Sequence, residues 1–236
     1  MNSSIAEEIQ AILFDLDGTL LDINLDVFIP QYLKTLSAKV AHLIRPSKFI
    51  SKLMIASQAI DKNDGSKTND ALFAEIFFPS IGFPREEMEP YFDKYYSEDF
   101  PNLRQYAQEK PDAREVMEYI FSKGYDVVIA TTPLLPETAI TQRLEWAGVG
   151  DFSYKLITTL DNSNYNKSDL RYYHQILEKI GHPAEACLMV GDEDKDMAAS
   201  RLGMKTFLIN SPQTKLDPTT PKPNYQGTLK DLIPIL

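Results

Sequence analysis

The chain begins with a short apolar segment that ends in a cluster of acidic and small residues. Residues 9–14 are mostly apolar on both faces and run into Asp15-Leu16-Asp17-Gly18-Thr19. A segment of this length and character is typical of a strand buried inside a parallel sheet. Similar runs occur at residues 125–131, 154–158, 187–190 and 205–209. We therefore predict five parallel strands.

Helical patterns separate these apolar runs. Apolar residues recur at three- and four-residue spacing over residues 113–121 and 170–180, and each stretch is followed by a glycine, Gly124 or Gly181. Glycine there is typical of a left-handed helix C-cap. The alternation predicts an α/β fold, a doubly wound, Rossmann-like parallel sheet with helices on both faces. Sites in such sheets lie beyond the carboxyl ends of the strands.

Residues 22–103 interrupt the alternation. They contain successive stretches with helical spacing and no run comparable to the five strands, and prolines stand near the stretch boundaries. We predict a core formed by residues 1–21 and 104–236, with an all-helical domain inserted at 22–103. The proline-rich residues 211–223 predict an extended segment before a short helix near 229–232.

Composition excludes several classes of protein. With 34 acidic and 24 basic residues, the formal net charge is −10, which disfavours binding to nucleic acid. Cys187 is the only cysteine, so this chain forms no internal disulfide and no cysteine-based zinc site. The first ten residues lack a basic secretory leader, and no apolar run reaches the ~18 residues of a membrane span. We expect a cytoplasmic protein without a membrane partner.

The two aspartates after the first strand form the strongest chemical signal. Asp15 and Asp17 are two residues apart, so a strand directs both side chains to the same side, where their charges repel. A divalent cation would relieve that repulsion, and oxygen-only ligands favour Mg²⁺. A plain surface loop is one alternative, and a helix N-cap, which would explain only one carboxylate, is another. Calcium-loop spacing fails, because Leu20 and Asp26 stand where glycine and glutamate are required.

A second acidic cluster follows the fourth predicted strand, at residues 191–196, with the sequence GDEDKD. Acidic residues at a helix start often only complement the helix dipole. In the predicted sheet, however, both acidic clusters lie beyond the same edge. Asp192 and Asp196 are therefore candidates to join Asp15 and Asp17 around one cation.

Two further elements lie where the same edge is expected. Thr131 and Thr132 end the second predicted strand, and their hydroxyls and amides suit a phosphate, although a capping role is an alternative. Lys167 precedes a predicted helix. Alone it would be a solvated surface lysine, but beside several carboxylates it would reduce their repulsion and contact a phosphoryl oxygen.

In this order the four elements resemble the haloacid dehalogenase superfamily, whose motifs are DxDxT, a strand ending in Ser or Thr, a lysine, and GDxxxD. The resemblance covers most of the chain, and the helical insertion is similar to the family's cap. It implies a nucleophilic aspartate, an acid–base aspartate and a bound Mg²⁺. The implied residues are Asp15 and Asp17 for catalysis; Thr131, Thr132 and Lys167 for phosphate; and Asp15, Asp17 through its carbonyl, Asp192, and Asp196 directly or through water for the metal.

The chain departs from the family pattern at two positions. Family members often have asparagine and proline where this chain has Thr132 and Ser168, which affects the assignment of Thr132 most. The dehalogenase branch lacks the second aspartate of the first motif, so Asp17 favours phosphoryl transfer. The resemblance therefore implies a Mg²⁺-dependent phosphatase that hydrolyses a small phosphorylated metabolite through an aspartyl-phosphate. A phosphomutase and a non-catalytic, partner-binding member are the alternatives.

The remaining candidates carry less information. His42, His174 and His182 are interpreted as polar surface positions, and neither GxGxxG nor GxxxxGK[ST] occurs. The loop at residues 62–67 is either a specificity element or a plain connection between helices. The sequence identifies no particular substrate.

Overall fold

A parallel sheet organises the protein in the computed structural model, which describes residues 5, 7–211 and 214–236. The sheet has the order β5-β4-β1-β6-β7-β8, and every adjacent pair in it is parallel. The strands of the chain are β1 (Ala11–Phe14), β2 (Leu21–Ile23), β3 (Ala107–Glu109), β4 (Asp126–Ile129), β5 (Leu156–Ile157), β6 (Cys187–Gly191), β7 (Lys205–Ile209) and β8 (Tyr225–Gly227).

The central strands are buried from both sides. Every residue of β1 and β6 is buried, as expected for parallel strands covered by helices on both faces. Leu13 of β1 pairs with Val128 of β4 on one side and with Met189 of β6 on the other. The carboxyl ends of these three strands therefore meet at one edge of the sheet, and the polar motifs follow at that edge.

Alternate residues of β1 supply two separate hydrophobic cores. Ile12 and Phe14 pack in the core that contains α5 (Ala113–Ser122) and α6 (Glu137–Trp146). Ala11 and Leu13 pack in the opposite core, with α7 (Leu170–Ile180). The predicted doubly wound α/β fold is thus confirmed, and all five predicted strands are present.

A series of helices lies between β2 and β3. Its members are α1 (Leu25–Lys39), α2 (Pro46–Ala59), α3 (Asn69–Ile81) and α4 (Arg85–Lys94), followed by a π-helical turn at Tyr95–Asp99 and a 3₁₀ segment at Phe100–Tyr106. Asn24 and Thr68 cap α1 and α3 by accepting bonds from backbone amides, and Pro46 occupies the first turn of α2.

Three short strands were not predicted. β2 and β3 pair antiparallel where the chain enters and leaves the helical segment, so the segment begins and ends beside one two-stranded ribbon. β8 adds a sixth strand to the main sheet, next to β7. Strands of three residues show no periodicity that a sequence pattern can reveal.

Several minor expectations concern the ends of the chain and its surface. His42 and His174 are exposed, whereas His182 is half-buried and contacts Asp126 at 2.8 Å. Residues 1–4 and 6 of the segment predicted to lack a secretory leader lie outside the described residues, as do residues 212–213 of the proline-rich tail. Among the helices of the described ranges, none combines the length and apolar character required to cross a membrane.

An aromatic cluster joins the helical segment to α6, one of the helices that cover the parallel sheet. Trp146, near the end of α6, stacks on Phe100 with ring centroids 5.3 Å apart and meets the edge of Phe28 at 6.3 Å. Phe100 also contacts Tyr32 of α1. Trp146 is 5% exposed, so its ring is buried where these two parts of the chain pack together.

Replacing Trp146 with alanine should therefore lower the free energy of unfolding by about 3 kcal/mol, because it leaves a cavity among packed rings. Chemical denaturation followed by circular dichroism measures this change. Trp146→Phe, which keeps a ring in place, is the matched control and should lose less. A loss below about 1 kcal/mol for the alanine variant would contradict the packing described.

Candidate functional site

The turn after β1 brings the first motif against the end of β6. Asp15 is 4% exposed, and its amide donates to the carbonyl of Val190 at 2.9 Å. Gly18 has a φ of +83°, and a Cβ there would lie 2.3 Å from Oδ2 of Asp192. Glycine is thus required both by the backbone conformation and by the close approach of Asp192.

Lys167 lies within the carboxylate cluster and away from solvent. Its side chain is fully buried, with Nζ 2.5 Å from Oδ1 of Asp15 and 2.6 Å from Oδ1 of Asp196. The side chain of Asn166 accepts a 2.7 Å bond from the amide of Lys167 and so fixes the loop before α7. The structure therefore does not support the alternative of a solvated surface lysine.

The turn after β6 is held by Asp196. Its Oδ2 accepts bonds from the amides of Asp192 at 3.0 Å and Glu193 at 3.1 Å, while its Oδ1 faces Lys167. A Cβ on Gly191 would lie 2.1 Å from Cγ of Asp196, so the strand ends in glycine where this side chain folds back. Asp196, in the short helix α8 (Asp194–Met197), thus holds the turn with one oxygen and contacts Lys167 with the other.

Negative charge exceeds positive charge in this cluster. Burial alone would lower the pKa of Lys167, but Asp15 and Asp196 hold that pKa well above its usual range. Burial raises the pKa of Asp196 although the charge of Lys167 lowers it, because one ammonium is shared by two carboxylates. Burial, together with the charges of Asp15 and Glu193, raises the pKa of Asp192 to about 6. The carboxylates of the cluster therefore outnumber the one ammonium that faces them.

The oxygen atoms of the cluster fit a divalent metal. Ligand atoms of Asp15, Glu193 and Asp196 all lie within 4.8 Å of one another. Asp192 is not in this group, but it lines the same cavity as Asp15 and Glu193 and accepts a 3.2 Å bond from Thr19. An all-oxygen set of carboxylates with a deficit of positive charge matches the preference of Mg²⁺. Sequence reasoning missed Glu193, because nothing in the acidic run distinguishes which side chains turn inward.

Asp17 has a partner that sequence reasoning also missed. Nη2 of Arg143 contacts Oδ1 of Asp17, and the guanidinium lies over the ring of Phe28, 5.7 Å from its centroid. Arg143 is 3% exposed, and burial lowers its pKa to about 10. The sequence feature that could have identified Arg143 is its position on the apolar face of α6, beside Ile140 and Leu144, because an arginine buried without a partner is energetically unfavourable.

The threonine motif lies at the same site. Thr131 and Thr132 line one cavity with Asp15 and Asp17. The carbonyl of Thr131 accepts bonds from the hydroxyls of Thr158 and Tyr172, at 2.8 and 2.9 Å. The backbone that presents the two threonines is therefore fixed from behind by buried partners.

The cavity has a volume of about 940 Å³ and extends from the carboxylates to α1, α2, α3 and α4. The loop at residues 62–67 does not line it. That loop connects helices and rests on the sheet domain, where Asn164 donates to the carbonyl of Gly65 at 2.9 Å and Arg171 to that of Asp64 at 3.3 Å. The geometry therefore favours the alternative of a connecting loop.

The raised pKa of Asp192 predicts a pH-dependent stability in the metal-free protein. The folded state holds a proton that the unfolded state, with a pKa near 3.9, has released, so stability falls as the pH rises from about 4 through about 6. Asp192→Asn should remove this loss and stabilise the chelated protein at neutral pH by about 3 kcal/mol. Denaturation in chelator at acidic and neutral pH measures it.

Asp22→Asn is the matched control for that prediction. Asp22 lines the same cavity but is exposed, so its replacement should leave the pH dependence as it is. Destabilisation of the Asp192 variant at neutral pH would show that the carboxylate is compensated without a metal.

Comparison with known proteins places this geometry in a family. The sequence model of the family of haloacid dehalogenase-like hydrolases matches residues 9–202 of this chain. Pyrophosphatase PpaX of Bacillus velezensis is 27% identical over 204 residues, covering 85% of this chain and 82% of that protein. Phosphoglycolate phosphatase of Aquifex aeolicus is 27% identical over 215 residues, covering 90% of each.

The fold has close counterparts among solved structures. The 2-haloacid dehalogenase of Pseudomonas syringae superposes with a TM-score of 0.66 at 22% identity, covering 96% of this chain and 97% of that one. The family match includes every motif residue from Asp15 to Asp196. The resemblance seen in the sequence is thereby confirmed: the chain is an enzyme of the haloacid dehalogenase-like hydrolase family.

Proposed function

We propose that this enzyme is a Mg²⁺-dependent phosphatase that hydrolyses a small phosphorylated metabolite through an aspartyl-phosphate on Asp15. The observation that carries the proposal is the position of Asp15, which is buried, lines the cavity and has its Oδ1 2.5 Å from Nζ of Lys167. The names of the two relatives, a pyrophosphatase and a phosphoglycolate phosphatase, also support phosphoryl chemistry.

In the first step the carboxylate of Asp15 attacks phosphorus. An O–P bond forms to Asp15 as the bond from phosphorus to the leaving oxygen breaks. The ammonium of Lys167 orients Asp15 and balances charge, and Asp196 in turn holds that ammonium. Hydroxyls and amides of Thr131 and Thr132, together with Lys167, bind the phosphoryl oxygens.

Asp17 handles the protons of both steps. It gives its proton to the leaving oxygen in the first step and takes one from the attacking water in the second, which releases phosphate and restores Asp15. Its contact with Arg143 fixes the carboxylate at the cavity wall beside the reacting atoms. Arg143 is therefore a positioning residue in this scheme.

The metal would be held by Asp15, the carbonyl of Asp17, Asp192 and Asp196, with Glu193 as an additional candidate ligand. When bound, Mg²⁺ supplies positive charge that offsets the phosphate dianion and the carboxylates. Because both oxygens of Asp196 already have partners, we assign it contact through water.

The helical residues 22–103 act as a cap in this proposal, and residues 1–21 and 104–236 form the catalytic core. The ribbon of β2 and β3 is the crossing between them. We propose a cytoplasmic enzyme that acts on a small molecule without binding nucleic acid. No observation within the described residues favours the phosphomutase alternative.

Two matched variants test the mechanism. Asp15→Asn removes the nucleophilic charge, so no phosphoenzyme should form. Asp17→Asn removes the base of the second step, which is worth about 10²- to 10⁴-fold, so the phosphoenzyme should persist. Intact-mass spectrometry after brief exposure to an aryl phosphate with Mg²⁺ should show an adduct of about 80 Da on Asp15 in the Asp17 variant.

The same exposure in chelator is the control for metal dependence and should give no adduct. Full turnover by the Asp15 variant would overturn the mechanism, as would an adduct on His174 or on a serine. Undiminished turnover of the wild-type enzyme in chelator would overturn the metal dependence.

A further inference from the structure

The lining of the cavity is of two kinds. Asp15, Asp17 and Thr131 form one part of it, and helices α1 to α4 form another. Most of the residues that these helices contribute are aromatic or aliphatic, including Phe28, Tyr32, Leu53, Phe73, Phe77 and Phe92, and the others are polar or charged: Asp26, Ser57, Asp70, Arg85, Glu89 and Asp93. The cavity thus joins a polar reaction centre to an apolar chamber.

The rings of the chamber are packed against one another. Phe73 stacks on Phe77 with centroids 4.9 Å apart, and Phe77 contacts Phe49 edge-on at 5.4 Å. Phe28 and Tyr32 are parallel at 6.5 Å. A preformed apolar surface of this kind needs little reordering when it binds an apolar group.

Some of the apolar residues that line the cavity are exposed to solvent. Within the described residues, the exposed large hydrophobic side chains are Leu25, Val27, Ile29, Met54 and Ile55, all on α1 or α2. Leu25, Ile29 and Met54 are among the cavity-lining residues. These three residues, unlike Val27 and Ile55, extend the apolar lining of the cavity to the protein surface, where an apolar ligand can reach it.

The charges of the cavity disfavour a second anionic group on the substrate. Its lining cations are Arg85, Lys110, Arg143 and Lys195, and carboxylates outnumber them. Each of these cations already has a partner: Asp70 and Glu89 for Arg85, the carbonyl of Gly18 for Lys110, Asp17 for Arg143, and Glu193 for Lys195.

We infer that the substrate is a phosphate monoester of an apolar, uncharged alcohol or phenol, whose organic group binds in the chamber between α1, α2, α3 and α4. This inference rests on the phosphatase function proposed above. The volume of about 940 Å³ lies at the upper end of the 300–1,000 Å³ found for small-molecule pockets, so it accommodates a sizeable group beyond the phosphate. Pyrophosphate and phosphorylated carboxylic acids should be poor substrates.

A series of linear alkyl phosphates from ethyl to octyl tests the inference, because the reacting group stays the same while apolar length grows. kcat/KM should rise about fourfold for each methylene added, until the chamber is filled. Inhibition by the matching alkylphosphonates, which cannot be hydrolysed, should strengthen in parallel. Pyrophosphate and a phosphorylated carboxylic acid serve as the doubly anionic comparisons.

Neighbouring residues of α2 provide a matched pair of variants. Met54 is 39% exposed and lines the cavity, whereas Ile55 is 51% exposed and does not. Met54→Ser should reduce kcat/KM for octyl phosphate by ~5-fold and leave ethyl phosphate nearly unchanged. Ile55→Ser should leave both unchanged.

The outcomes separate the inference from the function on which it rests. Turnover that is independent of chain length, or a preference for pyrophosphate, overturns the inference and leaves the phosphatase function in place. Phosphonate binding that follows chain length without any turnover supports the ligand class and contradicts the function. Equal effects of both serine variants on octyl phosphate, with a changed oligomeric state, would assign this face to a second copy of the chain and overturn the inference.

Discussion

The ammonium of Lys167, buried between the carboxylates of Asp15 and Asp196, is the contact on which the site depends. Three separate segments meet there: the turn after β1, the turn after β6 and the loop before α7. A buried charge is tolerated only when it is paired, and removal of one partner of such a pair typically costs about 3–5 kcal/mol. The same contact therefore joins the segments and orients the carboxylate proposed as nucleophile.

The parallel sheet brings these three segments together, and the helical segment forms the apolar chamber beside them. β4, β1 and β6 are adjacent, so the polar residues that follow them share one edge. Arg143 of α6 links that edge to the helices, because it contacts Asp17 and lies over Phe28 of α1. Trp146, one turn further along α6, packs on Phe100 from the other part of the chain. One helix of the core thus supports both the reaction centre and the wall of the chamber.

The sequence predicted those parts of the site that follow from strand order. Buried apolar runs ending in Asp15, Thr131 and Asp192 place those residues at one sheet edge through general rules of parallel sheets. Glu193 could not be chosen in the same way, because its inward position depends on how Asp196 folds the turn. The partner of Arg143 lies more than a hundred residues away on another element, so no local pattern identifies it. The apolar chamber likewise arises from packing between four helices, and β8 is too short to show a period.

The carboxylates of the site outnumber its cations, and with a pKa of about 6 Asp192 holds a proton at mildly acidic pH that a bound divalent ion would displace. Calorimetric titration of the whole protein with Mg²⁺ tests this proton displacement most directly. The titration is carried out at about pH 6 in two buffers of different ionisation enthalpy. The account predicts saturable binding with a buffer-dependent heat that corresponds to proton release, and a smaller release at alkaline pH, where Asp192 is already ionised. Absence of binding, or binding with the same heat in both buffers, would contradict it.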